Sequence, residues 1–219
     1  MKLRQVIGIL FILAAIVLIG APFLKYELLE ASSKKLTAQA LTPEKIQQNN
    51  EQPAEFNMEA IEPPSVIDSV VQEAQADMAA IVGQIEIPSV NLSLPILKGT
   101  TNENLMAGAT TMRENQWMGV GNYPLAGHHM NRDDLLFSPV LNVKVGTVIY
   151  VTDLTYSYTY EVTKTEAVHE SRTDVMDNTV DPMITLVTCY GSSDREKRFI
   201  VYGKLKETNE YEKDGPVSN

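Results

Sequence analysis

Cysteine is almost missing from this chain. Cys189 is the only one in 219 residues, so no disulfide can form within the molecule. The same scarcity removes every cysteine-based zinc site. Three histidines, His128, His129 and His169, are too few to suggest a His-rich metal centre, so no metal and no cofactor is expected. Positive charge is short as well: 18 Lys and Arg stand against 28 Asp and Glu, a net charge of -10. Phosphate recognition depends on clustered Lys and Arg, and no such cluster occurs, so nucleic acid is excluded as a partner. Internal repeats are also lacking. What remains is a globular composition, 44% hydrophobic and 21% charged, with room for one domain and an appendage.

One long apolar run is present. Lys2 and Arg4 precede an uncharged stretch from Val6 to Leu24, 19 residues, which as a helix would span about 28 Å, close to bilayer thickness. The competing reading is a cleaved signal peptide, whose apolar core is usually shorter and ends at a small-x-small site. Here the small pair Gly20-Ala21 is followed at once by Pro22, so an uncleaved anchor is expected. Positive charge before the run puts the N-terminus in the cytoplasm and the rest of the chain outside, on a single-pass membrane protein.

Four regions follow from the composition. Residues 1–24 form the cytoplasmic tip and transmembrane anchor. Residues 25–80 are polar, interrupted by Pro43, Pro53, Pro63 and Pro64, and read as an extracellular stalk, partly helical or disordered, with one candidate helix from Pro64 to Ala74. A folded domain is placed at 81–206, and a charged tail at 207–219. Within the domain, Val82–Pro88, Leu92–Leu97, Val148–Thr152, Tyr156–Thr163, Thr185–Cys189 and Phe199–Leu205 are short, β-branched or aromatic, and bounded by turn residues. Asn102–Ala107 and Asp133–Phe137 have room only for helical turns. Many short strands at this spacing indicate a mainly β fold, a closed barrel with a few small helices.

Cys189 has two readings. A free cysteine is commonly a small buried hydrophobe. This one, however, ends a strand-like run, Ile184-Thr-Leu-Val-Thr-Cys189, and opens a loop, where reactive side chains are often presented. A nucleophilic thiolate needs a base or cation beside it. Ala126-Gly-His128-His129 follows a Gly- and Asn-rich turn, and adjacent histidines on a strand would face opposite ways, so only one can readily meet the cysteine. Arg198 opens the next strand. If 185–189 and 198–204 form a hairpin, Arg198 lies beside Cys189, where a guanidinium can hold a carbonyl or a developing oxyanion. His169 reads as a solvated surface residue.

These motifs resemble the sortase family of Gram-positive bacteria. Thr185-Leu-Val-Thr-Cys189 is similar to its Thr-Leu-x-Thr-Cys signature, and Asn122-Tyr-Pro-Leu-Ala-Gly-His128 to the segment delivering its catalytic histidine. Arg198, nine residues past the cysteine, matches the family's arginine. Gly83-Gln-Ile-Glu-Ile-Pro88, Leu94-Pro-Ile-Leu-Lys-Gly99 and Asn104-Leu-Met-Ala-Gly-Ala109 resemble its opening strands and first short helix. The resemblance covers residues 81 to 206. It implies an eight-stranded barrel and a two-step acyl transfer. Cys189 would attack the Thr–Gly bond of a Leu-Pro-x-Thr-Gly signal near the C-terminus of a secreted protein. His128 would protonate the leaving amine, and a cell-wall precursor amine would resolve the thioacyl enzyme. Arg198 would hold substrate or oxyanion, Ala126 and Thr188 match groove positions, and His129 would support the site from behind.

The missing features point to class A, the housekeeping type. There is no lid with an Asp-Pro-aromatic anchor, no apolar C-terminal segment and no room for a long helix between Thr165 and Ile184. Met112-Arg-Glu-Asn-Gln-Trp-Met-Gly119 lacks the clustered oxygen ligands of a calcium site. Two other functions compete with transfer: a cysteine peptidase in which water resolves the same intermediate, and a non-catalytic peptide-binding module with a buried Cys189.

Overall fold

The computed structural model describes residues 41–56, 80–191 and 196–212, together with Gln5, Ile7, Phe11 and Ile12. Most of the apolar run 6–24, the candidate helix 64–74 and the end of the charged tail lie outside the described residues. Among the described residues no helix is long and apolar enough to cross a membrane.

Eight strands close into a barrel: β1 (Ile81–Ile87), β2 (Leu92–Leu97), β3 (Ala109–Thr111), β4 (Asn122–Ala126), β5 (Val148–Thr152), β6 (Tyr156–His169), β7 (Met183–Cys189) and β8 (Lys197–Glu210). Around the wall their order is β1-β2-β3-β4-β7-β8-β6-β5, with β5 pairing back onto β1. Closure leaves no edge strand to template association. The pairs β2–β3 and β4–β7 are parallel, and the others are antiparallel.

Strand alternation decides which side chains fill the barrel. Tyr123 and Leu125 of β4, Ile184 and Leu186 of β7 and Val201 of β8 point inward, into a core shared with Ile85, Ile149, Tyr160 and Phe137. Their neighbours Ala126, Val187 and Ile200 point the other way. They form a second apolar cluster on the outer wall with Leu105, Met112 and Val175. Tyr160 is fully buried, and its hydroxyl accepts a hydrogen bond from the Gly119 N–H at 2.9 Å.

Two departures from the sequence reading concern extent. β4 begins where a Gly- and Asn-rich turn was expected, β3 was not among the expected strands, and β6 and β8 run on to His169 and Glu210, past the expected ends at Thr163 and Leu205. β4 escapes a pattern search because all five of its residues are buried, which erases alternation.

The third departure concerns the region read as stalk. Helix α1 (Pro43–Glu51) starts at Thr42, whose hydroxyl accepts from the Lys45 N–H, and Pro43 fits the first helical position, where no N–H is needed. The helix is docked on the barrel. Ile46 is buried, Asn49 Nδ2 donates to the Ile81 carbonyl at 2.8 Å, and Lys98 Nζ donates to the Asn50 and Gln52 carbonyls that α1 leaves open at its C-terminus. Residues 41–56 are thus part of the folded body. Short α2 (Asn102–Ala107), capped by Thr101, connects β2 to β3.

Candidate active site

The ends of β4, β7 and β8 meet at one rim of the barrel. Cys189, the last residue of β7, is directly opposite Arg198 in register. The Tyr190 N–H donates to the Lys197 carbonyl at 3.0 Å, so Tyr190 and Lys197 are the hydrogen-bonded pair. Cys189 and Arg198 are therefore a non-hydrogen-bonded pair, the arrangement in which opposite side chains share a face and Cα atoms approach to about 4.5 Å. Parity puts both on the outer wall, in line with Val187 and Ile200. Cys189 is half-buried.

His128 reaches the same rim from β4. β4 and β7 run parallel with Ala126 opposite Val187, and the ladder continues one step as the Gly127 N–H donates to the Val187 carbonyl. Two residues further along this register, His128 is level with Cys189. Its backbone is fixed by the Phe137 N–H, which donates to the His128 carbonyl at 3.0 Å, and the residue is buried. Gly127 is required by close approach: a Cβ there would stand 2.3 Å from the Phe137 ring. Thus Phe137, a core residue, sets the path of the histidine segment.

The other predicted residues separate by face. Ala126 lies on the outer wall, in the apolar cluster beside Val187. Thr188 is one residue from Cys189 and has the opposite parity. It is buried, and its hydroxyl donates to the Gly127 carbonyl at 2.8 Å, tying the cysteine strand to the histidine segment. His129 lies beyond His128, pairing in an isolated bridge with Leu136. Burial holds its imidazole below the ordinary histidine range, partly offset by the Asp133 carboxylate.

Sequence reasoning missed several parts. Glu170, just past β6, accepts a hydrogen bond from Arg198 Nη2 at 2.7 Å. Asn122 ties β4 to the segment before β7: its amide donates to the Val175 and Asp177 carbonyls, and its oxygen accepts from the Thr185 hydroxyl. Gln116 closes the loop before β4 by accepting from the Met112 and Arg113 N–H groups and donating to the Pro124 carbonyl. The outer cluster had a usable signal, since residues spaced by two from Cys189 and Arg198 share their face. The contacts of Glu170 and Asn122 join residues far apart in the chain, and those of Gln116 depend on the shape of its loop, so none leaves such a trace. Among the described residues no group of three or more His, Cys, Asp or Glu could hold a metal ion.

Cys189 and Arg198 thus stand opposite each other in register at the head of an apolar outer wall, with His128 at the same level. A family model for the sortase domain matches residues 85–206, the barrel from within β1 to β8. The chain belongs to the sortase family. It is 42% identical to sortase A of Listeria monocytogenes over 212 residues, which cover 97% of this chain and 96% of that protein. Sortase A of Bacillus anthracis is 36% identical over 204 residues, 93% of this chain and 95% of that one. A crystal structure of the Listeria monocytogenes enzyme matches with a TM-score of 0.61 and 50% identity, over 62% of this chain and 93% of that chain. These likenesses make this sortase a class A cysteine transpeptidase.

Proposed function

We propose that this sortase cleaves a Leu-Pro-x-Thr-Gly sorting signal between Thr and Gly and transfers the new C-terminus to a cell-wall precursor amine. The Cys189 thiolate attacks the threonine carbonyl. The guanidinium of Arg198 holds the oxygen on which negative charge develops. His128 protonates the leaving glycine amine, and the bond breaks to leave a thioacyl enzyme. The acceptor amine then attacks, giving its proton to His128, and the thiolate leaves. The observation that carries this reading is the register pairing of Cys189 with Arg198 on the outward face. A peptide would lie along the apolar wall formed by Ala126, Val187, Ile200 and Leu105. Thr188 supports the geometry from inside the barrel. The run Val6–Leu24 serves as a membrane anchor that leaves the catalytic domain outside the cell.

The test is incubation of the full chain with a Leu-Pro-x-Thr-Gly peptide, with and without a glycine-type amine. Mass spectrometry should find a thioacyl adduct on Cys189 and, with amine, the transfer product. Absence of both would overturn the assignment; hydrolysed peptide alone in the presence of amine would favour the peptidase reading.

A further inference from the structure

Arg198 is held by an acid from a different part of the chain. β6 pairs with β8 so that Val168 lies opposite Arg198, which in turn lies opposite Cys189. Three strands therefore bring Val168, Arg198 and Cys189 to one level. Val168 packs on the outer apolar cluster, and Glu170, two residues on, keeps its parity. The Glu170 N–H donates to the Glu196 carbonyl at 2.7 Å, which fixes its backbone against the start of β8. From there its carboxylate accepts from Arg198 Nη2 at 2.7 Å, while Arg198 Nη1 donates to the Lys197 carbonyl at 3.2 Å. Both ends of the fork are engaged, so the plane of the guanidinium is fixed and not merely its charge.

Among the described residues, the neighbouring acids Glu166, Asp174 and Glu196 have other partners. Glu166 binds Lys164 and the Tyr202 hydroxyl, Asp174 binds Arg172, and Glu196 faces His169. The Glu170–Arg198 pair is also substantially exposed, 47% and 28% by side chain. A solvent-exposed ion pair contributes little to fold stability. Its geometry, however, sits on Arg198, the residue opposite Cys189 in register.

We propose that Glu170 is a positioning residue for the transpeptidation reaction, aiming the Arg198 guanidinium at the carbonyl attacked by Cys189. The inference rests on the proposed roles of Arg198 and Cys189. Removing the carboxylate frees a long side chain to sample other rotamers, and a misaimed donor stabilises the developing oxyanion less well.

The experiment is a mutant cycle on the full chain, read by transfer-product formation from the peptide and amine and by alkylation of Cys189 with a neutral haloacetamide. E170A should lower kcat by about tenfold to a hundredfold with little change in KM. E170Q should recover most of it, because its amide oxygen still accepts from Nη2. In an R198K background, where the fork is already lost, E170A should add almost nothing, since coupled residues are not additive. Alkylation near neutral pH should be undiminished in E170A, because the substitution leaves Cys189 in place at the end of β7. That outcome separates loss of Arg198 aim from damage to the nucleophile. Wild-type activity in E170A, an equal loss in both backgrounds, or alkylation falling in step with turnover would each overturn the proposal. Failure of the wild type itself to form a thioacyl adduct would instead sink the functional reading beneath it.

Discussion

The two faces of β4, β7 and β8 are made by the same strands and do different work. Inward residues Tyr123, Leu125, Ile184, Leu186 and Val201 join a closed core, and of these Leu125, Ile184, Leu186 and Val201 have no measurable exposure. Outward residues Ala126, Val187 and Ile200 form a smaller apolar wall that leads to Cys189 and Arg198. A period of two lets each strand serve both purposes without compromise, because a change on one face leaves the other in place. Stability resides inside and the proposed chemistry outside, and the barrel separates them by one residue step.

That separation can be broken by experiment. The largest effect should come from Cys189→Ala, which should abolish adduct and transfer product in mass spectrometry while leaving the thermal midpoint unchanged. Arg198→Lys keeps the charge but loses the planar fork; kcat should fall about 10²–10³-fold with unchanged circular dichroism. Moving one step inward reverses the pattern. Leu186→Ala should cost about 2–5 kcal/mol in denaturant unfolding, whereas outward Val187→Ala should raise KM for the peptide more than it lowers stability. Leu186→Ala as stable as wild type would contradict the division of faces.

Alkali should attack the interior selectively. Burial pushes the Tyr160 phenol from 10.0 up to about 12, moderated by the bond with Gly119, and burial also raises Tyr123. A raised folded value means the stabilisation is complete below the unfolded value near 10 and is lost as pH climbs toward 12. The loss from Tyr160 alone should approach about 2–3 kcal/mol, measurable as a falling denaturation midpoint above about pH 10. A midpoint flat across that range would refute it. The smallest effect belongs to His129→Gln. Its imidazole is already held toward the neutral form by burial, so turnover should stay within about twofold of wild type.

The sequence was legible where a segment carried its pattern locally. β2 and β5 occur with the expected ends, because each combines β-branched or aliphatic residues with clear turn neighbours. The far halves of β6 and β8 were hidden because they are largely polar and exposed on both faces, so hydrophobic alternation fades while pairing continues from Tyr156↔Glu210 to His169↔Lys197. The three-residue β3 is too short to show any period. Helix α1 read as part of a stalk because only Ile46 and Asn49 are buried in it; its attachment depends on Lys98, 46 residues after Gln52.

By itself, the sequence determined the chemistry available: one thiol, a histidine and an arginine in a recognisable order, and a β-rich chain with no second cysteine to divert the first. Tertiary structure decided where that chemistry points. Cys189 and Thr188 are adjacent in sequence, yet the pleat turns one outward beside Arg198 and the other inward to the Gly127 carbonyl. It also decided that Glu170, 19 residues before the cysteine, grips Arg198. The physical reason is that strand register, set by the packing of a closed core, brings together residues that local pattern cannot connect.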